Sequence, residues 1–398
     1  MRIAYLSHDV LPSPSTASEQ LMNNLTAMGR VPGVSIDLLA PSRPDANGQP
    51  AERRAEIARF YGLPTDLFDD GLDLVENHLP SWMQGYLRMG VHSVTAATAV
   101  SRKRHDIVYV RELFPLVTAL MTGLPVFFET YRADINTSSA LALCRRLCYT
   151  KRNLAGVITH SELARQSFID VGMDPGMVIC AHNGFSRDVM EPELTREAAR
   201  SALGLDITGP LMVYTGHVGP GKGTSLLVRI ARRMPEVTML VVGAVPGSKN
   251  EQWMDAMIAD ADVRNIVTIP RVAPSQVPFY LYAADILVIP PASDPLMKAG
   301  RTVLPIKTFL YLAAGRPIIA GDLPDVKEVL EHDRNSVLVP PDDPDAATDE
   351  IRRLLADADR CARLAGTARE DSLRYTWEAR ADRVTGFLRE RLETRHVR

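Results

Sequence analysis

The sequence predicts an α/β protein made of two doubly wound parallel-sheet domains, and three observations carry that expectation. Short apolar runs rich in Val, Ile and Leu recur along the chain. Most are separated by amphipathic helical patterns such as EQLMNNLTAM, SLLVRIARRM and IKTFLYLAAG. At 398 residues the chain also exceeds the roughly 250–300 at which a single core stops growing. Strands that alternate with helices imply a parallel sheet covered on both faces, so its strands read as apolar throughout.

The runs RIAYLS, SIDLLA, DIVYV, PVFFE, GVITH and MVICA fall before residue 190. LMVYTG, TMLVVG, NIVTIP, DILVIP, PIIAG and SVLVP follow residue 210. About six strands a side fit two sheets of ordinary size better than one large one. Between them, residues 186–210 hold Pro192 and a charged helix-like stretch with no apolar strand, which marks the boundary. The expected domains are residues 1–190 and 191–375, with a charged C-terminal helix over 376–398. Residues 41–104 are long, polar and helical in places, and read as an insertion in the first domain. No internal repeat is present.

Hydrophobic residues at 46% and charged residues at 23% exclude a disordered chain, a collagen and a coiled-coil rod. Lys and Arg number 45 against 48 Asp and Glu, so nucleic-acid binding through bulk positive charge is excluded as well. Cys144, Cys148, Cys180 and Cys361 form no CxxC pair and no zinc spacing, as expected of reduced thiols. The N-terminus starts directly as a strand, without a leader pattern, and no apolar run reaches the ~18–20 residues of a membrane span. These features predict a cytoplasmic protein without a metal site.

The sharpest chemical motif is LMVYTGHVGPGKGTSLLVRIARR, residues 211–233. A buried strand leads into a loop with Gly216, Gly219, Gly221 and Gly223, and then into a helix. Glycines allow close backbone approach to a ligand, a helix start offers unpaired N–H groups, and Lys222 adds a countercharge, so the turn suits phosphate. The plain alternative is a glycine-rich turn with a surface lysine. A P-loop reading fails at Gly223, where a magnesium-binding Ser or Thr is needed; Thr224 comes one position late.

The same loop resembles the G-R-x-x-x-x-K-G turn of retaining glycosyltransferases with the GT-B fold, family 4 (group 1). Lys222 and Gly223 match, and His217 stands where that family usually carries Arg. NIVTIPRVAPSQVPFYLYAADILVIPP, with Asp285, and LPIKTFLYLAAGRPIIAGDLPDVKEVL are similar to the family's donor segments. VITHSELARQSF and CAHNGFSRD resemble the segments that close its first domain. The resemblance implies two Rossmann-like halves facing a cleft, with the C-terminal helix crossing back to the first half. It implies a nucleotide-sugar donor, UDP- or GDP-linked, no other cofactor, no metal, and transfer to a glycan, lipid or small-molecule hydroxyl.

By that resemblance, Lys222 and His217 would stabilise the leaving diphosphate, together with backbone N–H groups of Gly216, Gly219, Gly221 and Gly223. The helix beginning near Ile306, with Lys307 and Thr308 in its first turn, would add its dipole; a solvated surface lysine is the plain alternative for Lys307. Arg271 lies where the family places the nucleotide base. Several positions depart from the pattern. The two donor-site glutamates of the family fall on Thr302 and Leu310. The first loop is LPSPSTASEQ rather than glycine-rich, leaving Ser15 and Thr16 as candidate phosphate or acceptor contacts, with His8 at the end of the first strand. The family's E-x-H reads Glu129-Thr130-Tyr131 here. Tyr131 either replaces the histidine or packs, and Glu129 is either an acceptor-site carboxylate or a strand-end residue.

Nine basic and four acidic residues lie between 101 and 152. The stretch Arg145–Arg152 suits peripheral contact with the inner face of an anionic membrane, or is a core-packing helix with a solvated basic face. Trp82, Met83, Tyr86 and Met89 either line an acceptor groove or pack in the core. Two further readings stay open: a non-catalytic GT-B protein that binds a glycan or partner, favoured by the missing glutamates, and a GT-B epimerase acting on a UDP-sugar.

Overall fold

The computed structural model describes residues 1–43, 49–64, 66–69, 71–80, 82–83, 85–132, 140–294 and 304–396, with backbone only at 140–143, 145 and 396. The chain divides into two compact units: residues 1–183 with 377–398, and residues 184–376. The stretch 186–210 therefore lies wholly inside the second unit, and its helix Arg196–Ala202 packs there on the helix Val277–Ala283.

The first unit holds seven strands: β1 (Arg2–Leu6), β2 (Ser35–Pro41), β3 (Leu72–Asn77), β4 (Ile107–Val110), β5 (Val126–Thr130), β6 (Leu154–Thr159) and β7 (Val178–Cys180). They form one parallel sheet in the order β3-β2-β1-β4-β5-β6-β7. The second unit holds β8 (Leu211–Thr215), β9 (Thr238–Ala244), β10 (Ile266–Pro270), β11 (Ile286–Val288), β12 (Ile318–Gly321) and β13 (Val337–Val339). Its parallel sheet runs β10-β9-β8-β11-β12-β13. Both orders are the doubly wound 3-2-1-4-5-6 arrangement, which reverses between the first and fourth strands of each sheet. Open sheets of this kind bind ligands at that reversal, outside the carboxyl ends of the strands.

Residue alternation in the central strands shows why the runs are continuously apolar. In β1, Ile3 and Tyr5 join one core cluster while Ala4 and Leu6 join the other. In β8, Leu211 and Val213 face one cluster, and Met212 and Tyr214 the other. Both faces of each sheet are covered by helices, so no position along these strands can be polar at low cost.

Residues 41–104 are not an insertion. They make the helix Pro50–Tyr61, the strand β3 and the helix Gly85–Arg102, and β3 pairs with β2 over six residues as the sheet edge. The strand LDLVEN carries Asp73, Glu76 and Asn77 and is only part-buried after Leu72, so it lacks the apolar signature of its neighbours. The C-terminal helix Trp377–His396 belongs to the first unit. Trp377, Ala381, Val384, Phe387 and Leu388 sit in the core cluster that contains Ile3 and Tyr5.

Candidate functional site

At the carboxyl end of β8 the chain makes the turn 216–223, and all four glycines have positive φ: 133° at Gly216, 135° at Gly219, 77° at Gly221 and 73° at Gly223. Of these, Gly223 is also sterically fixed by rigid neighbours. A Cβ on Gly223 would lie 2.8 Å from the Cβ atoms of Pro290 and Ala292, which follow β11. A Cβ on Gly216 would lie 2.7 Å from Lys307 Nζ. The turn is thus wedged between the loop after β11 and the helix Lys307–Ala314. Thr224, the residue one place late for a P-loop, is buried, and its hydroxyl accepts from Gly219 N at 3.2 Å. It locks the turn onto the following helix Thr224–Arg233, which starts at Gly223 without a side-chain cap.

Two tyrosines position this corner. Tyr214 donates its hydroxyl to His217 O at 2.7 Å. Tyr311, on the helix Lys307–Ala314, accepts from Thr215 N at 2.8 Å. Neither was singled out from the sequence; both lie inside apolar runs, where a buried tyrosine looks like ordinary core. Asp285 also acquires a role. Its Oδ2 accepts from Arg200 and from Leu211 N, each at 2.7 Å, and its Oδ1 pairs with Arg196. Those contacts lie at the amino end of β8, so Asp285 anchors the sheet and helix Arg196–Ala202 rather than the ligand end.

Around the turn the structure gathers cationic groups. Lys222, His217 and Arg271 are exposed. Lys307 is part-buried, with Nζ 3.6 Å from the Tyr214 ring centroid. Among the described residues neither Lys222 nor Lys307 has an ion-pair partner. The His217 imidazole is held below its usual pKa, first by loss of solvation and then by the charges of Lys222, Arg271 and Lys307. Burial, reinforced by Lys222, holds Lys307 well below the usual lysine range. Lys222, Arg271 and Lys307 crowd the His217 ring, and an anion bound among them would relieve that repulsion.

The expected contribution of the helix start near Ile306 is smaller than the sequence suggests. Ile306 provides no side-chain cap, but Thr308 N donates to Pro305 O at 2.9 Å and Phe309 N to Ile306 O at 3.1 Å. Those two amides are already used. Thr308 itself is fully buried, and its hydroxyl has no partner among the described residues. Leu310 packs against the core cluster of its unit, so no carboxylate stands at that position; Thr302 lies outside the described residues.

In the first unit Glu129 is 2% exposed and commits both oxygens internally. Its Oε1 meets His160 Nε2 at 2.7 Å, Arg380 Nη2 at 3.0 Å and Arg111 Nε at 3.6 Å, and its Oε2 accepts from the Tyr109 hydroxyl at 2.5 Å. Burial alone would raise its pKa, but Arg380, Arg111 and His160 more than offset this and hold it well below the carboxylate range. Glu129 therefore anchors the C-terminal helix, with both oxygens engaged at the end of β5. The signal was out of reach in sequence, because Arg380 lies 251 residues away.

Ser15 caps the helix Thr16–Gly29 by accepting from Ser18 N at 3.0 Å, and Thr16 is exposed in its first turn. His8 pairs through Nε2 with Ser93 Oγ at 2.7 Å, and burial next to His92 lowers its pKa to about 4. Tyr131 is 38% exposed, with its hydroxyl accepting from Arg132 Nη2 at 3.2 Å. On the helix Ala140–Tyr149, Leu147 is exposed and Cys148 buried, and Lys151 and Arg152 beyond it are exposed; the side chains of Leu141 and Arg145 lie outside the described residues. Among the described residues no helix is long and apolar enough to cross a membrane.

Comparison with known proteins bears on this geometry. Residues 209–357 match the family model described as glycosyl transferases group 1. That stretch carries the glycine turn, Arg271 and Lys307. A D-inositol 3-phosphate glycosyltransferase of Xylanimonas cellulosilytica is 30% identical over 200 residues, covering 50% of this chain and 46% of the relative. The chain thus spans about half the length of the curated relatives it matches. Among solved structures, sucrose-phosphate synthase from Thermosynechococcus elongatus superimposes with a TM-score of 0.74 at 16% identity, covering 98% of both chains. Anabaena HepE in complex with UDP-glucose gives 0.71 at 16% identity, covering 98% of this chain and 100% of that one. The fold is the two-domain GT-B fold, and the stretch 209–357 is similar to the group 1 glycosyltransferases.

Proposed function

We propose that the chain is of the group 1 glycosyltransferase type and transfers a sugar from a UDP- or GDP-linked donor to a hydroxyl on a glycan, lipid or small molecule, with retention of configuration. The observation that carries this reading is the cluster of Lys222, His217, Arg271 and Lys307 around the glycine turn at the sheet's reversal. As the bond from the sugar's anomeric carbon to the diphosphate oxygen breaks, negative charge builds on that oxygen. Exposed Lys222 and His217 are placed to stabilise it, and Lys307 beside Gly216 adds a second ammonium. The acceptor oxygen bonds to the anomeric carbon on the same face, and its proton passes to the departing phosphate oxygen. In this reading the four side chains supply the positive charge, and no metal takes part. The nucleotide base lies by Arg271. We place the protein in the cytoplasm, with exposed Leu147, Lys151 and Arg152 supporting peripheral contact with an anionic membrane.

A non-catalytic binding role is the second reading, favoured by Leu310, which cannot pair with a ribose hydroxyl. A thermal-shift panel of UDP, GDP, dTDP and ADP decides the first step, since a ligand that binds only the folded state raises its melting point. One nucleotide is expected to do so; no shift with any of them contradicts the donor reading. Release of free sugar from the matching nucleotide sugar then separates an enzyme from a scaffold. Inositol phosphate, the acceptor in the relatives' name, belongs first among the acceptors tried.

A further inference from the structure

Each sheet ends in two outer strands, and an outer strand turns alternate backbone N–H and C=O groups away from its neighbour. Such a row is a template for another chain, and folded proteins blunt it with charges, side-chain caps or a short strand. Three of the four edges here are blunted. β3 carries Asp73 and Glu76, which pair with Arg54 and Arg53. β7 is three residues long, and arginines cap its outward carbonyls: Arg165 Nε donates to Val178 O at 2.9 Å and Arg383 Nε to Cys180 O at 2.6 Å. β13, also three residues long, has its Leu338 N–H donating to His332 Nδ1 at 3.1 Å.

β10 has none of these devices. Ile266, Val267, Thr268 and Ile269 are uncharged and all β-branched, which suits an extended chain. The strand pairs only with β9. Met239 N donates to Asn265 O at 2.8 Å, so Asn265, Val267 and Ile269 turn their backbone groups toward β9. Alternation then turns the N–H and C=O of Ile266 and Thr268 outward. Among the described residues nothing meets them there. Val267, between the two, is 44% exposed.

This edge is complementary to itself. Let two copies run antiparallel about a two-fold axis at Val267. Ile266 of each copy then meets Thr268 of the other, and each pair exchanges both of its backbone hydrogen bonds. The two Val267 side chains face each other as a non-hydrogen-bonded pair, where side chains come closest. Pro270, which has no N–H, falls opposite Arg264, whose own N–H donates to the Pro270 carbonyl. Centring the axis on Thr268 instead sets Pro270 against Ile266 and forfeits bonds on both sides. At the amino end of the strand Arg264 and Asp262 lie 3.6 Å apart and balance each other, so no net charge opposes Arg271 of the other copy.

We propose that β10 is a self-association edge, at which two copies of this chain pair antiparallel about Val267 and join their second-unit sheets into one. A ladder this short lies at the low end of interface sizes, below about 1,200 Å², so a weak dimer is expected, with a Kd of about 10–100 µM. The test is analytical ultracentrifugation of the full chain from about 1 to about 300 µM, with Val267→Lys and Val267→Glu beside the parent. The parent is expected to pass from monomer to dimer across that range. Each variant alone is expected to dimerise at least about tenfold more weakly, because like charges then face each other across the axis. An equimolar mixture of the two is expected to regain the parent's association, since opposite charges then meet. Val267 is exposed enough for either new side chain to reach solvent, and either variant carries the first comparison if the other fails to fold. A parent that stays monomeric throughout overturns the proposal, as it would if the edge served a segment of a different protein. A dimer that survives in both variants places the interface elsewhere and overturns it too, and a mixture that stays monomeric removes the axis at Val267. None of these outcomes depends on whether a nucleotide binds.

Discussion

Lys307 rests on the face of Tyr214 rather than against a carboxylate. Both Lys307 and His217 titrate below their ordinary values, because each is desolvated and faces cationic charge, from Lys222 on Lys307 and from Lys222, Arg271 and Lys307 on His217. A bound diphosphate reverses that field and raises both pKa values. Binding then takes up protons, so affinity is highest at low pH and falls as pH rises from the lowered free values through the restored bound ones. Calorimetric titrations of the nucleotide in two buffers of different ionisation heat are expected to differ by the heat of that uptake; identical heats would place the diphosphate elsewhere. Glu129 makes the opposite case, a carboxylate fully engaged within its unit. Glu129→Gln leaves Arg380 and Arg111 short of a buried counter-ion and is expected to cost about 3–5 kcal/mol in urea unfolding. Nucleotide binding by the second unit should not change. A variant as stable as the parent but without sugar transfer would return Glu129 to the chemistry.

At the level of elements, the turn between β8 and its helix depends on contacts with two neighbours. Gly223 has a φ of 73° and no room for a methyl group against Pro290 and Ala292. Gly223→Ala is expected to cost about 1–2 kcal/mol for the left-handed backbone alone. It should also push the turn away from the loop after β11, removing the nucleotide-induced thermal shift. A variant that keeps the full shift would mean that the turn's shape does not matter to the ligand. The elements also show what sequence reading reaches. Among the described residues twelve of the thirteen strands read as apolar runs, most of them because helices bury both of their faces; β10, at a sheet edge, is apolar in sequence but only part-buried. The edge strand β3 escapes, since Asp73, Glu76 and Asn77 interrupt its apolar residues on a part-buried surface. The glycine turn is visible because glycine at several fixed positions has few other causes. The surroundings of Lys307 are not visible, because they depend on Tyr214 and Gly216, some ninety residues earlier on another element.

For the whole molecule, the chain leaves the first unit after Asn183 and returns to it at Trp377. The first unit is thus closed by a helix made last, held through Arg380 to Glu129 and to Asn24 Oδ1 at 3.1 Å. Truncation after Thr376 removes Trp377, Val384, Phe387 and Leu388 from the core and leaves Glu129 without its main counter-ion. Limited proteolysis of the truncated chain should digest the first unit and spare a fragment near residues 184–376; equal resistance of both units would contradict this dependence.

The central claim is that the turn 216–223 holds the diphosphate of a nucleotide sugar, and Lys222 is its most exposed test. Titration calorimetry of the nucleotide found in the panel, against the parent and Lys222→Ala, measures it directly. Losing one charge-assisted contact is expected to weaken binding by about ten- to hundredfold, or ~1.5–3 kcal/mol, with the melting point of the free protein unchanged. Equal affinity for the two proteins would contradict the account.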